Sequence, residues 1–175
     1  MSSEKRKIAY IDGKPYEIGA NHTSILKFVK SYVGEKKVPT LCDDPNLAPY
    51  GACRVCSVEV ALEKDGPTKM VASCHTPVAE NQHIFTSNEA ITSLRKNIVE
   101  LVLTDHPMEC DSCEVNNNCE LQTVANDLGI SDHRYNSPKQ HKGIPRDTSR
   151  DYMRMNLDKC INCGRCVRAC DEIQG

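Results

Sequence analysis

All eleven cysteines of the 175-residue chain fall into three groups, and a histidine joins the middle one. Cys42, Cys53, Cys56 and Cys74 are spaced Cys-x10-Cys-x2-Cys-x17-Cys. His106, Cys110, Cys113 and Cys119 lie within residues 105–119, DHPMECDSCEVNNNC. Cys160, Cys163, Cys166 and Cys170 follow as Cys-x2-Cys-x2-Cys-x3-Cys. Thiolates are soft metal ligands, and close spacing can bring several to one point. Disulfides would require an oxidising compartment. The start, MSSEKRKIAYIDGK, is basic with no apolar run behind it, so no signal peptide is expected. No stretch approaches the ~20 apolar residues of a membrane span. A cytoplasmic chain is expected, where grouped cysteines serve as metal ligands or redox groups.

Each group has its own chemistry. In the first, Gly51 and Ala52 are small enough for backbone N–H groups to turn in on the sulfurs. The Cys-x2-Cys pair and the strands around it fit a [2Fe–2S] centre, against a four-cysteine zinc site. In the middle group, Pro107 holds His106 extended, so the imidazole can face the cysteine loop. Neutral imidazole in place of thiolate raises a cluster's potential, as in Rieske centres; the same four ligands also suit zinc, and spacing alone leaves both open. The third group is the bacterial ferredoxin run for a [4Fe–4S] cluster. Its first three cysteines wrap one cluster, and the fourth ligates the other cluster of a pair. Asp171 stands where proline usually follows, and no second run is present, so this segment is read as incomplete. His22, His75, His83, His133 and His141 have no partner spacing and are expected to be structural or at the surface.

The elements that must position these groups are legible from periodicity. Residues 7–11 and 15–18 read as strands joined by an Asp12-Gly13 hairpin turn. Asn21 or Thr23 can cap a helix whose apolar face is Ile25, Leu26, Phe28, Val29, Tyr32 and Val33, ending at Gly34. Strand, hairpin, strand, helix is how a β-grasp domain begins. Alternation after Cys56 turns Val58, Val60 and Leu62 to one side, Ser57 and Glu59 to the other. Residues 68–73 and 83–86 are further strand candidates. Thr86 and Glu89 can form a capping box for a helix reaching about Leu103, with Ile91, Leu94, Ile98, Leu101 and Val102 inward and Arg95, Lys96 and Glu100 outward. A shorter helix, about 120–128, stops at Gly129. The fold class is therefore α+β: a β-grasp domain over residues 1–86, a small helical His/Cys module over 87–130, a polar linker over 131–150 with five Lys/Arg, and a partial ferredoxin segment over 151–175.

Composition agrees. Trp is absent and aromatics are 5% of residues, thin material for one large core. Small modules held by metal centres resolve the shortage, because metal binding supplies folding free energy. A net charge of −2 gives no basis for nucleic acid or an anionic membrane as partner.

Taken together, PYGACRVCSVEV with SCHTPV, TDHPMECDSCEVNNNCELQ and KCINCGRCVRACDEIQG resemble the N-terminal iron–sulfur region of the complex I large subunit family. That family includes the alpha subunits of NAD-dependent formate dehydrogenases, NAD-linked iron-only hydrogenases and the small diaphorase subunit of NAD-reducing hydrogenases. The resemblance implies a [2Fe–2S] cluster on Cys42, Cys53, Cys56 and Cys74. It implies a [4Fe–4S] cluster on His106, Cys110, Cys113 and Cys119, and a further one starting at Cys160, Cys163 and Cys166. A cysteine at position 170 points to the formate dehydrogenase and hydrogenase branch.

The chain has no Gly-x-Gly pair, so neither a dinucleotide fingerprint nor a P-loop is available. No nucleophile–base constellation has a recognisable context. The expectation is an electron-transfer subunit or fragment, not catalytic alone, working between an NAD(H)/flavin partner subunit and a catalytic subunit. The alternatives are a truncated catalytic subunit or a zinc-bound scaffold.

Overall fold

The computed structural model describes residues 6–135 and 143–175. His141 and the centre of the expected linker lie outside them. In chain order the elements are β1 (Ile8–Ile11), β2 (Lys14–Glu17), α1 (Ile25–Val33), β3 (Ser57–Ala61), β4 (Lys69–Ala72), β5 (His83–Phe85), α2 (Glu89–Thr104), α3 (Glu120–Asp127), β6 (Asp147–Arg150), β7 (Met153–Met155) and α4 (Arg165–Ala169). They form two compact units, Met1–Arg95 with Arg165–Gly175, and Lys96–Gly164.

The first unit is a five-stranded mixed sheet, ordered β2-β1-β5-β3-β4, with β1 parallel to β5. Asp12 and Gly13 take positive φ (48° and 82°), the geometry a tight hairpin needs, and the β1–β2 pairing follows. Ile25, Leu26, Phe28 and Val29 of α1 are buried with Ala9, Ile11, Val58 and Ile84. Ser24 caps this helix, its hydroxyl accepting from the Lys27 N–H; the expected caps Asn21 and Thr23 lie too early, because the first buried apolar residue is Ile25.

Two further expectations about side-chain direction fail. Leu62 is exposed, because β3 ends at Ala61, and Ser57 is fully buried. On α2, Asn88 supplies the cap in place of Thr86, accepting from the Ile91 N–H at 2.8 Å. Thr86 instead donates its hydroxyl to Asp12. The buried row of α2 is Ile91, Arg95, Val99 and Leu103, together with Glu100, while Leu101 is exposed. Polar atoms of Arg95 and Glu100 find partners inside: Arg95 Nη2 donates to the Ser57 carbonyl at 2.7 Å, and Glu100 accepts from Arg134 at 2.6 Å. A four-residue row, with charges whose stems pack and whose heads are bonded, displaced the apolar-only face.

In the second unit, Val99, Leu103, Leu121, Val124, Ala125 and Ile130 are the buried apolar residues. α3 ends as expected, with Gly129 at φ 65°. The end of the expected linker is ordered: Asp147–Arg150 is β6, paired antiparallel to β7 in an exposed ribbon. Among the described residues no helix is long and apolar enough to cross a membrane.

Candidate metal centres

Local chain geometry prepares each cysteine loop. Gly51 sits at φ 69°, where a Cβ would also come within 3.3 Å of the His75 Cβ. Each of the three loops holds a non-glycine residue in the left-handed region: Arg54 (62°), Asn117 (62°) and Asn162 (55°). Such positions are costly and cluster where a loop must turn its N–H groups to one side. Two such donations are formed, Cys53 N–H to Cys42 Sγ at 3.5 Å and Asn162 N–H to Cys160 Sγ at 3.4 Å. Asn tolerates this conformation, so Asn117 and Asn162 were readable signals; Arg54 carries none.

The first group converges. Cys42 leaves the loop after α1, Cys53 and Cys56 bracket the turn into β3, and Cys74 follows β4. The turn is closed by Ser57, whose hydroxyl donates to the Arg54 carbonyl at 2.7 Å, and Ser73 donates to the Cys56 carbonyl at 2.7 Å. Cys42, Cys56 and Cys74 are buried and Cys53 is half-buried. Their thiols are hydrogen-bonded in a chain. Cys42 is pulled down to about 2 by the Cys53 and then the Cys74 thiol, and Cys56 to about 6 by the Cys74 thiol. Cys53 and Cys74 are pushed up in return by those same contacts and by burial. Four thiols already share negative charge here, which is the donor set a cationic iron centre requires.

The middle group converges on a cavity of about 200 Å³ that His106, Cys110, Cys113 and Cys119 all line. Leu103, Leu121, Ala125 and Ile130 supply apolar wall, and Lys159 also reaches it. His106 is buried, and its Nδ1 lies 2.9 Å from the Pro107 carbonyl. A carbonyl oxygen only accepts, so Nδ1 carries the proton and Nε2 is the ring's lone-pair nitrogen. A bond of this kind, made by the nitrogen that faces away from the metal, fixes the tautomer of a metal-binding histidine. Burial and then the neighbouring Cys119 and Cys113 push the Cys110 thiol up, with Lys159 acting the other way. Zinc, at about 2.3 Å from each thiolate, would draw the four side chains together and leave no such space. Consistently, no three His, Cys, Asp or Glu side chains among the described residues close on a single ion.

The third group is different. Cys160 and Cys163 lie in the loop of the second unit, half-buried. Cys166 and Cys170 belong to the first unit and are exposed, Cys166 on α4 and Cys170 opening the π-helical turn that extends it. That extension is anchored within the first unit by Arg168. Its guanidinium donates to the carbonyls of Cys42 (3.2 Å) and Ala48, lies 4.6 Å over the Tyr50 ring, and pairs with Glu172. Glu172 in turn accepts from the Ala48 N–H at 2.8 Å. None of the eleven cysteines is disulfide-bonded. The remaining described histidines have local structural roles: His22 bonds Gly19 and Ser31, and His83 stacks on Tyr10 at 4.3 Å.

Comparison with known proteins places these groups. Residues 8–89 match the 2Fe-2S iron-sulfur cluster binding domain, residues 95–134 the NADH-ubiquinone oxidoreductase-G iron-sulfur binding region, and residues 153–172 a 4Fe-4S binding domain. The chain therefore carries both [2Fe–2S] and [4Fe–4S] cluster-binding domains. It is 33% identical over 165 residues to the NADPH-Fe(3+) oxidoreductase subunit alpha of Geobacter sulfurreducens, covering 94% of this chain and 18% of that protein. It is 35% identical over 170 residues to the NADP-reducing hydrogenase subunit HndD of Solidesulfovibrio fructosivorans, covering 94% and 27%. It thus spans only a fifth to a quarter of these curated relatives. The fold is shared with an NAD+-reducing [NiFe]-hydrogenase solved in its H2-reduced state, at TM-score 0.78 and 24% identity over 95% of this chain and 66% of that one. With three cluster-binding segments matched in the same order as its three ligand groups, the chain belongs to the NADH-ubiquinone oxidoreductase-G iron–sulfur family, which it shares with NADP-linked hydrogenase relatives.

Proposed function

We propose that the chain is an electron relay. In this reading a [2Fe–2S] cluster sits on Cys42, Cys53, Cys56 and Cys74, and a [4Fe–4S] cluster on His106, Cys110, Cys113 and Cys119. A further [4Fe–4S] cluster starts at Cys160, Cys163 and Cys166, and Cys170 serves another cluster of a pair. The carrying observation is the cavity on which His106, Cys110, Cys113 and Cys119 converge, too roomy for one ion. When bound, such clusters supply one-electron acceptance with little rearrangement. The protein's part is to hold the ligands. Ser57 and Ser73 close the first loop, Pro107 and its carbonyl aim the His106 ring, and the walls keep water out.

The partners on this reading are an NAD(H)- or flavin-binding subunit on one side and a catalytic subunit of a soluble, cytoplasmic complex on the other. The names of the relatives, an NADPH-linked iron(III) oxidoreductase and an NADP-reducing hydrogenase, support that class. Because both relatives are several times longer, a second reading also has support: the same region feeds a catalytic domain on one polypeptide. Sequencing the gene beyond codon 175 separates the two.

Anaerobic purification of the native complex tests the relay itself. The protein should be brown, bleach on dithionite, and show separate EPR signals for reduced [2Fe–2S] and [4Fe–4S] centres. Colourless protein carrying zinc would overturn the proposal.

A further inference from the structure

Arg95 is the least expected buried residue of the first unit. Only 6% of its surface is exposed. One guanidinium nitrogen, Nη2, donates to the carbonyl of Ser57, the residue after Cys56. Its Nε is buried with no hydrogen-bond partner among the described residues. The one charged group acting on it is the Cys56 thiolate, and no carboxylate pairs with it among the described residues. A buried cation without a counter-charge is strongly disfavoured, and removing its partner costs more than an apolar replacement would. Arginine stays charged where lysine or histidine would shed the proton. The fold therefore retains a fixed positive charge beside the first cysteine group and gives it no protein anion except a ligand thiolate.

We propose that Arg95 is the buried counter-charge of the [2Fe–2S] centre, a positioning residue that raises its reduction potential and holds the Cys53–Cys56 turn through Ser57. This rests on the reading that Cys42, Cys53, Cys56 and Cys74 carry that cluster. The physical step is simple. One electron enters from the nicotinamide- or flavin-linked donor, no bond forms or breaks, no proton moves, and the centre becomes more negative by one charge. A fixed cation in a poorly solvated site favours the more negative form, so its removal disfavours reduction. The cluster in turn supplies the anion that the guanidinium lacks.

The test is a redox titration, followed by the EPR of the [2Fe–2S] signal, of the full-length cluster-loaded protein with Arg95→Gln and Arg95→Lys. Arg95→Gln should shift the midpoint potential downward while Arg95→Lys stays close to wild type. An unchanged potential in Arg95→Gln, or an equal shift in both variants, overturns the proposal. Should Arg95→Gln hold no cluster, the iron-free proteins decide. Iron-free Arg95→Gln melting at or above iron-free wild type supports a charge whose partner is the cluster. Melting well below it makes Arg95 a strut of the fold and overturns the proposal. Absence of any [2Fe–2S] signal in the wild type is a different failure: it removes the cluster assignment, and this inference with it.

Discussion

His106 shows how much one hydrogen bond decides. Proline after it ends α2 and exposes a carbonyl, and that carbonyl accepts from Nδ1. The ring is thereby left in the tautomer whose Nε2 can bind iron. If Nε2 is a ligand, His106→Cys should keep a cluster, since cysteine is a competent fourth ligand, and add a negative charge that lowers its potential. Potentiometric EPR checks this, and an unmoved potential would count against ligation by His106. Gly51 makes a second residue-scale case. Its φ of 69° and the 3.3 Å approach to the His75 Cβ leave no room for a methyl group. Gly51→Ala should cost about 1–3 kcal/mol, read as a lowered melting temperature of the loaded protein. The small size of Gly51 was readable in the sequence as permission for close approach, but what approaches it, the His75 side chain, belongs to a distant loop.

At the scale of elements, α2 separates what periodicity can convey from what it cannot. Its existence, its length and its stop before Pro107 were all legible, because they rest on local sterics. Its buried face was not. Ile91, Arg95, Val99 and Leu103 recur every fourth residue, but an arginine in that row reads as exposed until the Ser57 carbonyl is found beside it. Likewise Asn88 took the cap from Thr86 because Thr86 was engaged by Asp12, a residue of the first hairpin. Asn88→Ala should therefore cost about 1 kcal/mol, visible as a small drop in melting temperature with the cluster spectra unchanged. The α4 extension is held by side chains instead. Arg168 bonds Cys42 and Ala48 carbonyls and lies over Tyr50, so Arg168→Ala removes three contacts at once. The expected result is faster loss of the [2Fe–2S] absorbance on exposure to air or chelator, while the EPR of the His-containing cluster is unaltered. Equal lability of both centres would place the role of Arg168 elsewhere.

The whole molecule divides its stability unevenly between metal and core. The first unit buries a continuous apolar set around α1 and the sheet, including Phe28, the largest fully buried side chain. That core was legible from alternation and helical spacing, because it is built from strands and a helix each amphipathic alone. The second unit has little comparable. Its buried apolar residues are few, and its centre is a cavity lined by the middle ligand group. Composition hinted at this, with two Phe and no Trp in 175 residues, but which unit would be short of core depended on which cysteines met. A unit whose middle is empty of side chains must take its cohesion from what the ligands bind, since a cavity of this size otherwise forfeits both burial and dispersion contacts. Removing iron from the full protein should therefore act on one unit more than the other. Amide hydrogen exchange should keep its protection in β1, β3, β5 and α1 and lose it across α3 and residues 106–119. Uniform loss would mean that the first unit also depends on its cluster to fold. Uniform retention would mean that the cavity is held open by the chain itself, and that the His106 group is a preformed site rather than one assembled around its iron.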